Sequence, residues 1–406
     1  MKKLMAMVLT LVLLCGSAMA AETVSGKATI PVIENVKQFD LPESEALQFT
    51  QKMKIGWNLG NTMDATFWNG YNQNELYIEK GWCGVYTTQE MIQAVHDAGF
   101  NTIRIPISWH DHMDPETFAV SEAWLNRVQQ IVDWAIELDM YVIINSHHDM
   151  VPGYCYPSEA EYANSERFMV TLWTTVAERF KDYDEHLIFE SMNEPRLVGT
   201  SYEWNYNKIW PDCIASAECI NKLNQVFVNT VRATGGNNAD RYLMVPGYAA
   251  NPDNVLGDWF RLPEDTADNK IIISVHAYTP YNFALQDGGK KTFDNTLSGD
   301  TTQIAVFMNN LYKKYIANGI PVVIGEFGAR DKGGNLQDRV NFAAYYIAAA
   351  SARGITCCWW DNNGFTGNGE LFGIFNRQKM TWPTYDIVLA MMQYAGWDQI
   401  PPKDAQ

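Results

Sequence analysis

Short apolar runs alternate with longer amphipathic segments along most of the chain. The runs are rich in β-branched and aromatic residues, as is typical of strands that are buried on both faces. They predict eight strands, at Lys54–Asn58, Thr102–Ile107, Tyr141–Asn145, Leu187–Ser191, Arg241–Pro246, Ile271–His276, Val322–Glu326 and Thr356–Trp360.

The segments between these runs carry apolar residues at helical spacing. They predict helices at Gln89–Asp97, Ala123–Leu138, Glu166–Phe180, Ile220–Thr234, Ile304–Asn318, Leu336–Arg353 and Tyr385–Tyr394. Eight strands with helices between them predict an α/β fold, a single (β/α)8 TIM barrel over residues 47–400. The alternative is an open, doubly wound sheet, but Gly56–Asn61 lacks the G-x-G-x-x-G pattern of its nucleotide-binding turn.

The N-terminus has the features of an export signal. Lys2 and Lys3 precede the apolar run Leu4–Leu14, and Ala18-Met19-Ala20 is a small-x-small cleavage pattern. Residues 1–20 are therefore predicted to be a secretory signal peptide, which makes the mature protein secreted. A membrane anchor is the alternative, and a lipoprotein at Cys15 is disfavoured by the two leucines before it. Residues 21–46 are expected to be an N-terminal arm or a first helix covering the barrel floor.

Composition narrows the class of protein. The chain is 47% hydrophobic and 19% charged, which predicts a sizeable core, and it carries a net charge of −17. Removing Lys2 and Lys3 with the signal takes the mature chain to −19. This charge argues against nucleic acid or an anionic membrane as partner, although simple solubility explains it equally well. Fourteen Trp are present, many near loops, where the faces of sugar rings could stack on them.

Six Cys remain after signal cleavage, and none forms a C-x-x-C metal pattern. Cys213 and Cys219 are spaced for a small disulfide loop, a pairing that the sequence leaves open.

Polar residues gather where the predicted strands end, and active sites of barrels lie at the carboxyl ends of strands. Two of them are carboxylates in apolar surroundings, Glu194 after the fourth strand and Glu326 at the end of the seventh. A carboxylate there is costly unless it is used or paired. A structural ion pair with Arg104 or Arg196 is the alternative. Strands four and seven face each other across the mouth, which is where two carboxyls would flank a glycosidic bond.

Seven segments, in order, resemble those of glycoside hydrolase family five. They are Gly56–Thr62, Asn101–Pro106, His147–Asp149, Met192–Pro195, Ser274–Tyr278, Ile324–Gly328 and Trp360–Asn363. The first is similar to the opening of bacterial endoglucanases, such as those of cellulolytic clostridia. The family belongs to a clan with the acid/base on strand four and the nucleophile on strand seven.

The resemblance implies a role for each matching residue. Glu194 would be the general acid/base, with a pKa held high, and Glu326 the nucleophile. The supporting and substrate-binding residues would be Arg104 and Tyr278 beside the nucleophile, Asn193 at the sugar 2-hydroxyl, His276 beside the acid/base, His147 and Trp360 at the minus-side subsite, and His148 and Asn58 nearby. Asn58 and Asn61 could instead only brace the turn after strand one. No metal and no cofactor are predicted, although His147-His148-Asp149 is also a possible set of metal ligands.

The predicted function is that of a secreted, monomeric endo-β-1,4-glucanase (cellulase) that acts on β-glucan polysaccharide by a retaining mechanism. A xyloglucanase or a β-mannanase of the same family is the enzymatic alternative. A carbohydrate-binding barrel without activity would keep the aromatic residues but would need neither Glu194 nor Glu326.

Overall fold

Eight parallel strands close into a barrel in the computed structural model, which describes residues 21–67 and 74–400. The strands, β1 to β8 in chain order, are Ile55–Leu59, Thr102–Ile105, Tyr141–Asn145, Leu187–Glu190, Leu243–Pro246, Ile271–His276, Val322–Phe327 and Thr356–Asp361. Each strand pairs with the next, and β8 pairs with β1. The predicted (β/α)8 barrel is therefore confirmed, and the open sheet is excluded. The predicted signal peptide lies outside the described residues.

Strand bounds agree with the sequence pattern to within one or two residues. The second strand ends at Ile105 rather than at Ile107, because Pro106 has no N–H to continue the ladder. The fifth strand begins at Leu243 rather than at Arg241. Arg241 lies below it and donates hydrogen bonds to backbone carbonyls of the barrel floor.

Helices surround the barrel. They are α1 Glu45–Lys52, α2 Gln89–Asp97, α3 Glu122–Ile136, α4 Tyr162–Arg179, α5 Pro211–Ala233, the single turn α6 Tyr281–Ala284, α7 Ser298–Lys314, α8 Leu336–Ser351 and α9 Tyr385–Tyr394. The prediction for α5 is too short, since this helix begins at Pro211 instead of Ile220. A proline in the first turn is typical of a helix start. No helix in the described ranges is long and apolar enough to cross a bilayer.

The length of α5 also explains why Cys213 and Cys219 do not form a disulfide. Cys213 and Cys219 both lie on this helix, buried, and each is a free thiol. Six residues advance a helix by about one and two-thirds turns, so the two side chains leave on different faces. The loop staple between them is not formed.

The barrel floor is closed by α1. Its Phe49 stacks on Tyr242, with ring centroids 3.7 Å apart, and joins a buried cluster of residues inside the barrel. The helix that covers the floor therefore begins at Glu45, and the preceding arm runs elsewhere. Gly26 donates its N–H to Asp386, and Ile33 donates to the hydroxyl of Tyr394, so the arm lies against α9. The opposite end of the barrel, where the strands terminate, carries the polar residues.

Candidate active site

Arg104 is the centre of the polar network inside the barrel mouth. It lies on β2 with its side chain fully buried, and its Nη1 donates to Glu326 at 2.8 Å and to Asn58 at 3.0 Å. Its Nη2 donates to Oδ1 of Asn193 at 2.8 Å. Burial acts to lower the pKa of Arg104, but the charges of Glu190 and Glu326 raise it above its ordinary value. The guanidinium is therefore a permanent positive charge beneath the mouth.

Glu190 is a member of this network that the sequence interpretation overlooks. Its Oε2 accepts from Nε of Arg104 at 2.8 Å and from Asn145 at 3.0 Å, and its Oε1 accepts from Ser274. The side chain is completely buried. The sequence does contain a signal for this role, because Glu190 is a charged residue within the apolar strand Leu187–Glu190. Side chains alternate along a strand, so position 190 shares the inward face of the barrel with Ile188.

Glu326, near the end of β7, accepts hydrogen bonds from two side chains. Oε1 accepts from Arg104 at 2.8 Å, and Oε2 accepts from the hydroxyl of Tyr278 at 2.9 Å. Only 6% of its side chain is exposed. Burial raises the pKa of Tyr278 well above its ordinary value, and the charge of Glu326 raises it further, so the phenol keeps its proton and remains a donor.

Glu194 follows β4 and has different partners. Its Oε1 lies 2.8 Å from Nδ1 of His276, and its Oε2 lies 3.5 Å from Arg196. Burial acts to raise the pKa of Glu194, but the hydrogen bond and charge of His276, followed by the charge of Arg196, lower it below its ordinary value. The expectation of a raised pKa for Glu194 is therefore wrong for the ligand-free protein.

The pKa of His276 shifts in the opposite direction to that of Glu194. Burial acts to lower its pKa, but the charge of Glu326 and the hydrogen bond to Glu194 raise it above its ordinary value. The opposite shifts of the two pKa values favour an ion pair, with the proton on His276 and the negative charge on Glu194.

The two carboxylates face each other across the mouth. One oxygen of Glu194 lies within 4.8 Å of one oxygen of Glu326, with Nδ1 of His276 close to both. The structure therefore brings together the two residues that the sequence places on strands four and seven.

Trp360 and His147 form one wall of the mouth. Their rings are parallel, at an interplanar angle of 1° and a centroid distance of 5.8 Å. Gly60 packs on Trp360 so closely that a Cβ there would lie 2.8 Å from the indole. Burial takes the pKa of His147 well below its ordinary value, so this ring is neutral. Trp359 points the other way and packs against Phe327 outside the barrel.

His148 lies beside His147 and opposite Trp82 of the long loop after β1. Burial lowers the pKa of His148 to about 4. Two aromatic residues of this loop, Trp68 and Tyr71, fall outside the described residues.

Asn58 is completely buried below the mouth. Its amide donates to the carbonyls of Gly325, Cys358 and Trp359, and its Oδ1 accepts from Arg104. It therefore orients Arg104 and the ends of β7 and β8. The backbone N–H of Asn61 donates to Asp64, so Asn61 belongs to the turn after β1.

The metal alternative for His147-His148-Asp149 finds no support in the position of Asp149. That carboxylate turns away and accepts from Trp109, His110 and Ser146. Asp64 does lie with the two histidines, with ligand atoms within 4.8 Å of one another. Its two oxygens, however, already accept N–H groups from the turn at 2.6 and 3.0 Å. The absence of a metal and of a cofactor stays a prediction.

Comparisons with known proteins show the family of the chain. A family model described as cellulase (glycosyl hydrolase family 5) matches residues 60–366. Endoglucanase A of Clostridium longisporum is 40% identical over 360 residues, which cover 88% of this chain and 67% of that protein.

Two solved structures extend the likeness to three dimensions. A mutant of a family 5 lichenase from Caldicellulosiruptor sp. F32, in complex with cellotetraose, is 55% identical with a TM-score of 0.89, covering 91% of this chain and 100% of that one. A broad-specificity endoglucanase from Ruminococcus champanellensis with bound cellotriose is 42% identical with a TM-score of 0.80, covering 87% and 100%. By its strands, its facing carboxylates and these matches, the chain belongs to glycoside hydrolase family 5, the cellulase family.

Proposed function

We propose that this enzyme is an endo-β-1,4-glucanase that hydrolyses internal bonds of β-glucans with retention of anomeric configuration. The observation that supports this most is the approach of Glu194 and Glu326 to within 4.8 Å of each other. Carboxyls about 5–5.5 Å apart suit direct attack by one of them, whereas inversion needs roughly 6.5–9.5 Å to place a water.

Glu326 is the proposed nucleophile. Arg104 and Tyr278 together keep it ionised and oriented, so a carboxylate oxygen is ready to attack the anomeric carbon. The bond from that carbon to the leaving sugar breaks as the bond to Glu326 forms. The product of this step is a glycosyl ester on Glu326 and a shortened chain with a new hydroxyl.

Glu194 is the proposed acid/base, in partnership with His276. Oε1 of Glu194 and Nδ1 of His276 are 2.8 Å apart, so a proton can pass directly between them. A substrate that displaces water disfavours the ion pair and favours the neutral carboxyl, which then protonates the leaving oxygen. In the second step the Glu194 carboxylate accepts a proton from water while that water attacks the anomeric carbon and releases Glu326.

The remaining predicted residues are proposed to bind the sugar. Asn193, oriented by Arg104, would donate its amide to the 2-hydroxyl, where contacts strengthen in the transition state. Trp360 would stack on the sugar at the minus-side subsite, with His147 and His148 hydrogen-bonding to its hydroxyls.

The preferred polysaccharide is proposed from the similarity to known enzymes. The similarity to a lichenase at 55% identity favours lichenan, a mixed-linkage glucan, as a good substrate. Xyloglucan and mannan stay as alternatives. Hydrolysis of carboxymethyl-cellulose, lichenan, xyloglucan, xylan and mannan, with product sizing, tests this. Rapid loss of chain length on β-glucans is expected; activity on mannan or xylan alone would contradict the proposal, and no activity on any of them would favour a binding barrel.

We also propose that the protein is exported, with cleavage after Ala20, and acts as a monomer. The support for export is the basic start, the apolar run and the small residues of positions 1–20. N-terminal sequencing of protein from the culture medium should begin at Ala21. Light scattering of that protein should give the mass of one chain.

A further inference from the structure

Arg196 contacts Glu194 on the side away from His276. Its Nη1 lies 3.5 Å from Oε2 of the carboxylate and donates to the backbone carbonyl of the same residue at 2.9 Å. One guanidinium therefore holds both the side chain and the peptide of Glu194.

Arg196 is itself fixed on two sides. Its Nε donates to Oε1 of Glu203 at 3.1 Å, and Oε2 of Glu203 accepts the N–H of Gly199 at 2.8 Å, which ties the loop together. The ring of Trp204 covers the guanidinium, with 3.9 Å between Cζ and the ring centroid. A guanidinium stacked on an indole is partly shielded from water, which strengthens its effect on a nearby charge. Only 16% of the Arg196 side chain is exposed.

We propose that Arg196 is the positioning residue of the acid/base: it holds Glu194 in place and, with Glu203 and Trp204, sets the alkaline limit of hydrolysis. This inference rests on the proposed role of Glu194. It assigns a function to a residue that the sequence offers only as a structural ion-pair partner.

Other charged and titratable groups also surround Glu194 and affect its protonation. They come from the ends of β3, β6 and β7 and from the loop after β8, and they are His148, His276, Tyr278, Glu326 and Glu370. Glu326 and Glu370 carry negative charges, which favour the protonated form of Glu194, while His276 and, less strongly, His148 favour the ionised form. Among the cations near Glu194 in residues 21–67 and 74–400, only Arg196 keeps its charge at all relevant pH values without also binding the nucleophile.

The sign of the effect follows from the charge. The positive charge of Arg196 lowers the pKa of Glu194, after the larger contribution of His276. A general acid must be protonated at the start of the reaction, so its pKa sets the pH above which kcat/KM falls. Removing the charge of Arg196 should raise that pKa and extend activity to higher pH. Removing the charge of Glu203 should do the opposite, because Arg196 then acts on Glu194 without compensation.

Three variants of the full chain test this: Arg196→Gln, Arg196→Lys as the charge-retaining control, and Glu203→Gln. The pH profile of kcat/KM on cellotetraose is measured together with the melting temperature. We expect the alkaline limb to move up by roughly 0.5–1 pH unit in Arg196→Gln, to stay near the wild type in Arg196→Lys, and to move down in Glu203→Gln.

A merely structural role of Arg196 would not move the alkaline limbs of Arg196→Gln and Glu203→Gln in opposite directions. Loosening of the loop would change both pH profiles in the same direction. An unmoved alkaline limb in an active Arg196→Gln, or an upward shift in Glu203→Gln, would overturn the proposal. If Arg196→Gln does not fold, Glu203→Gln alone tests the proposal. A downward shift of its alkaline limb would support the proposal, and any other result would contradict it. A wild-type protein that does not hydrolyse β-glucans would instead contradict the proposed function.

Discussion

Glu326 and Glu194 lie at the same mouth, yet their surroundings differ in kind. Glu326 is 6% exposed and is bound by Arg104, which is always charged, and by Tyr278, which keeps its proton. Glu194 is 15% exposed and is bound by His276, whose pKa the neighbouring carboxylates raise against the effect of burial, and by Arg196 on a loop. Both hydrogen-bond donors of Glu326 keep a constant charge. Glu194 is hydrogen-bonded at 2.8 Å to His276, a group that can change its charge and that lies farther, at 3.6 Å, from Glu326.

This difference separates the two chemical roles. A nucleophile must stay ionised throughout, so fixed donors serve it. An acid/base must gain and lose a proton in each cycle, so a partner that shares a proton serves it. Substitutions at these residues should therefore affect hydrolysis and stability in different ways.

Glu326→Gln removes the nucleophile while keeping its shape. We expect turnover to fall by roughly 10³-fold or more, with binding of cellotetraose retained in calorimetry. A variant that keeps more than about a tenth of the wild-type rate would show that Glu326 is not the nucleophile.

Glu194→Ala should impair hydrolysis unequally. For substrates with poor leaving groups, we expect a loss of roughly 10²–10⁴-fold, the usual contribution of a general acid. Aryl cellobiosides with good leaving groups need little protonation, so they should still glycosylate the enzyme, and added azide should restore turnover. Equal losses for all leaving groups without rescue by azide would remove Glu194 from this role.

Arg104→Met tests the constant charge that binds Glu326. It leaves Glu190 and Glu326 buried without their cation, and breaking a buried pair in this way costs about 3–5 kcal/mol. The unfolding free energy should therefore drop by that amount in urea denaturation. Adding Glu190→Gln should recover part of the loss, because one uncompensated charge is removed. If the double variant loses as much unfolding free energy as the two single variants added together, Arg104 and Glu190 are not directly coupled.

Tyr278→Phe should have the smallest effect of the set. It removes one hydrogen bond to the charged Glu326, worth about 1.5–3 kcal/mol, and so about 10- to 100-fold in kcat/KM. The melting temperature serves as the control and should change little. A loss as large as that of Glu326→Gln would mean that Tyr278 does more than orient the nucleophile.

The fold and the two carboxylates could be predicted from the sequence because local patterns encode them. Each buried strand is a mostly apolar run, and Glu326 lies near the end of one of these runs. Pro106 and Pro211 even mark bounds that the periodicity misses. The roles of Glu194, Glu326 and their supporting residues remain proposals, for which the distances described above are the support.

The partner of each charge could not be predicted in the same way. Glu190 meets Arg104 from a position 86 residues away, and His276 meets Glu194 from 82 residues away. The pKa of Glu194 depends on that second contact, so the sequence interpretation gets its direction wrong. Arg196 is close in sequence, but only the stacked Trp204 and the bond to Glu203 distinguish it from an ordinary surface cation.

The stereochemistry of the first product tests the account most directly, since it depends on the separation of Glu194 and Glu326. With carboxylate oxygens within 4.8 Å there is no room for a water between base and sugar, and a glycosyl-enzyme on Glu326 should form. Proton NMR during hydrolysis of cellotetraose should show the β-anomer first, followed by slow mutarotation. Initial release of the α-anomer would contradict the nucleophilic role of Glu326 and the mechanism built on it.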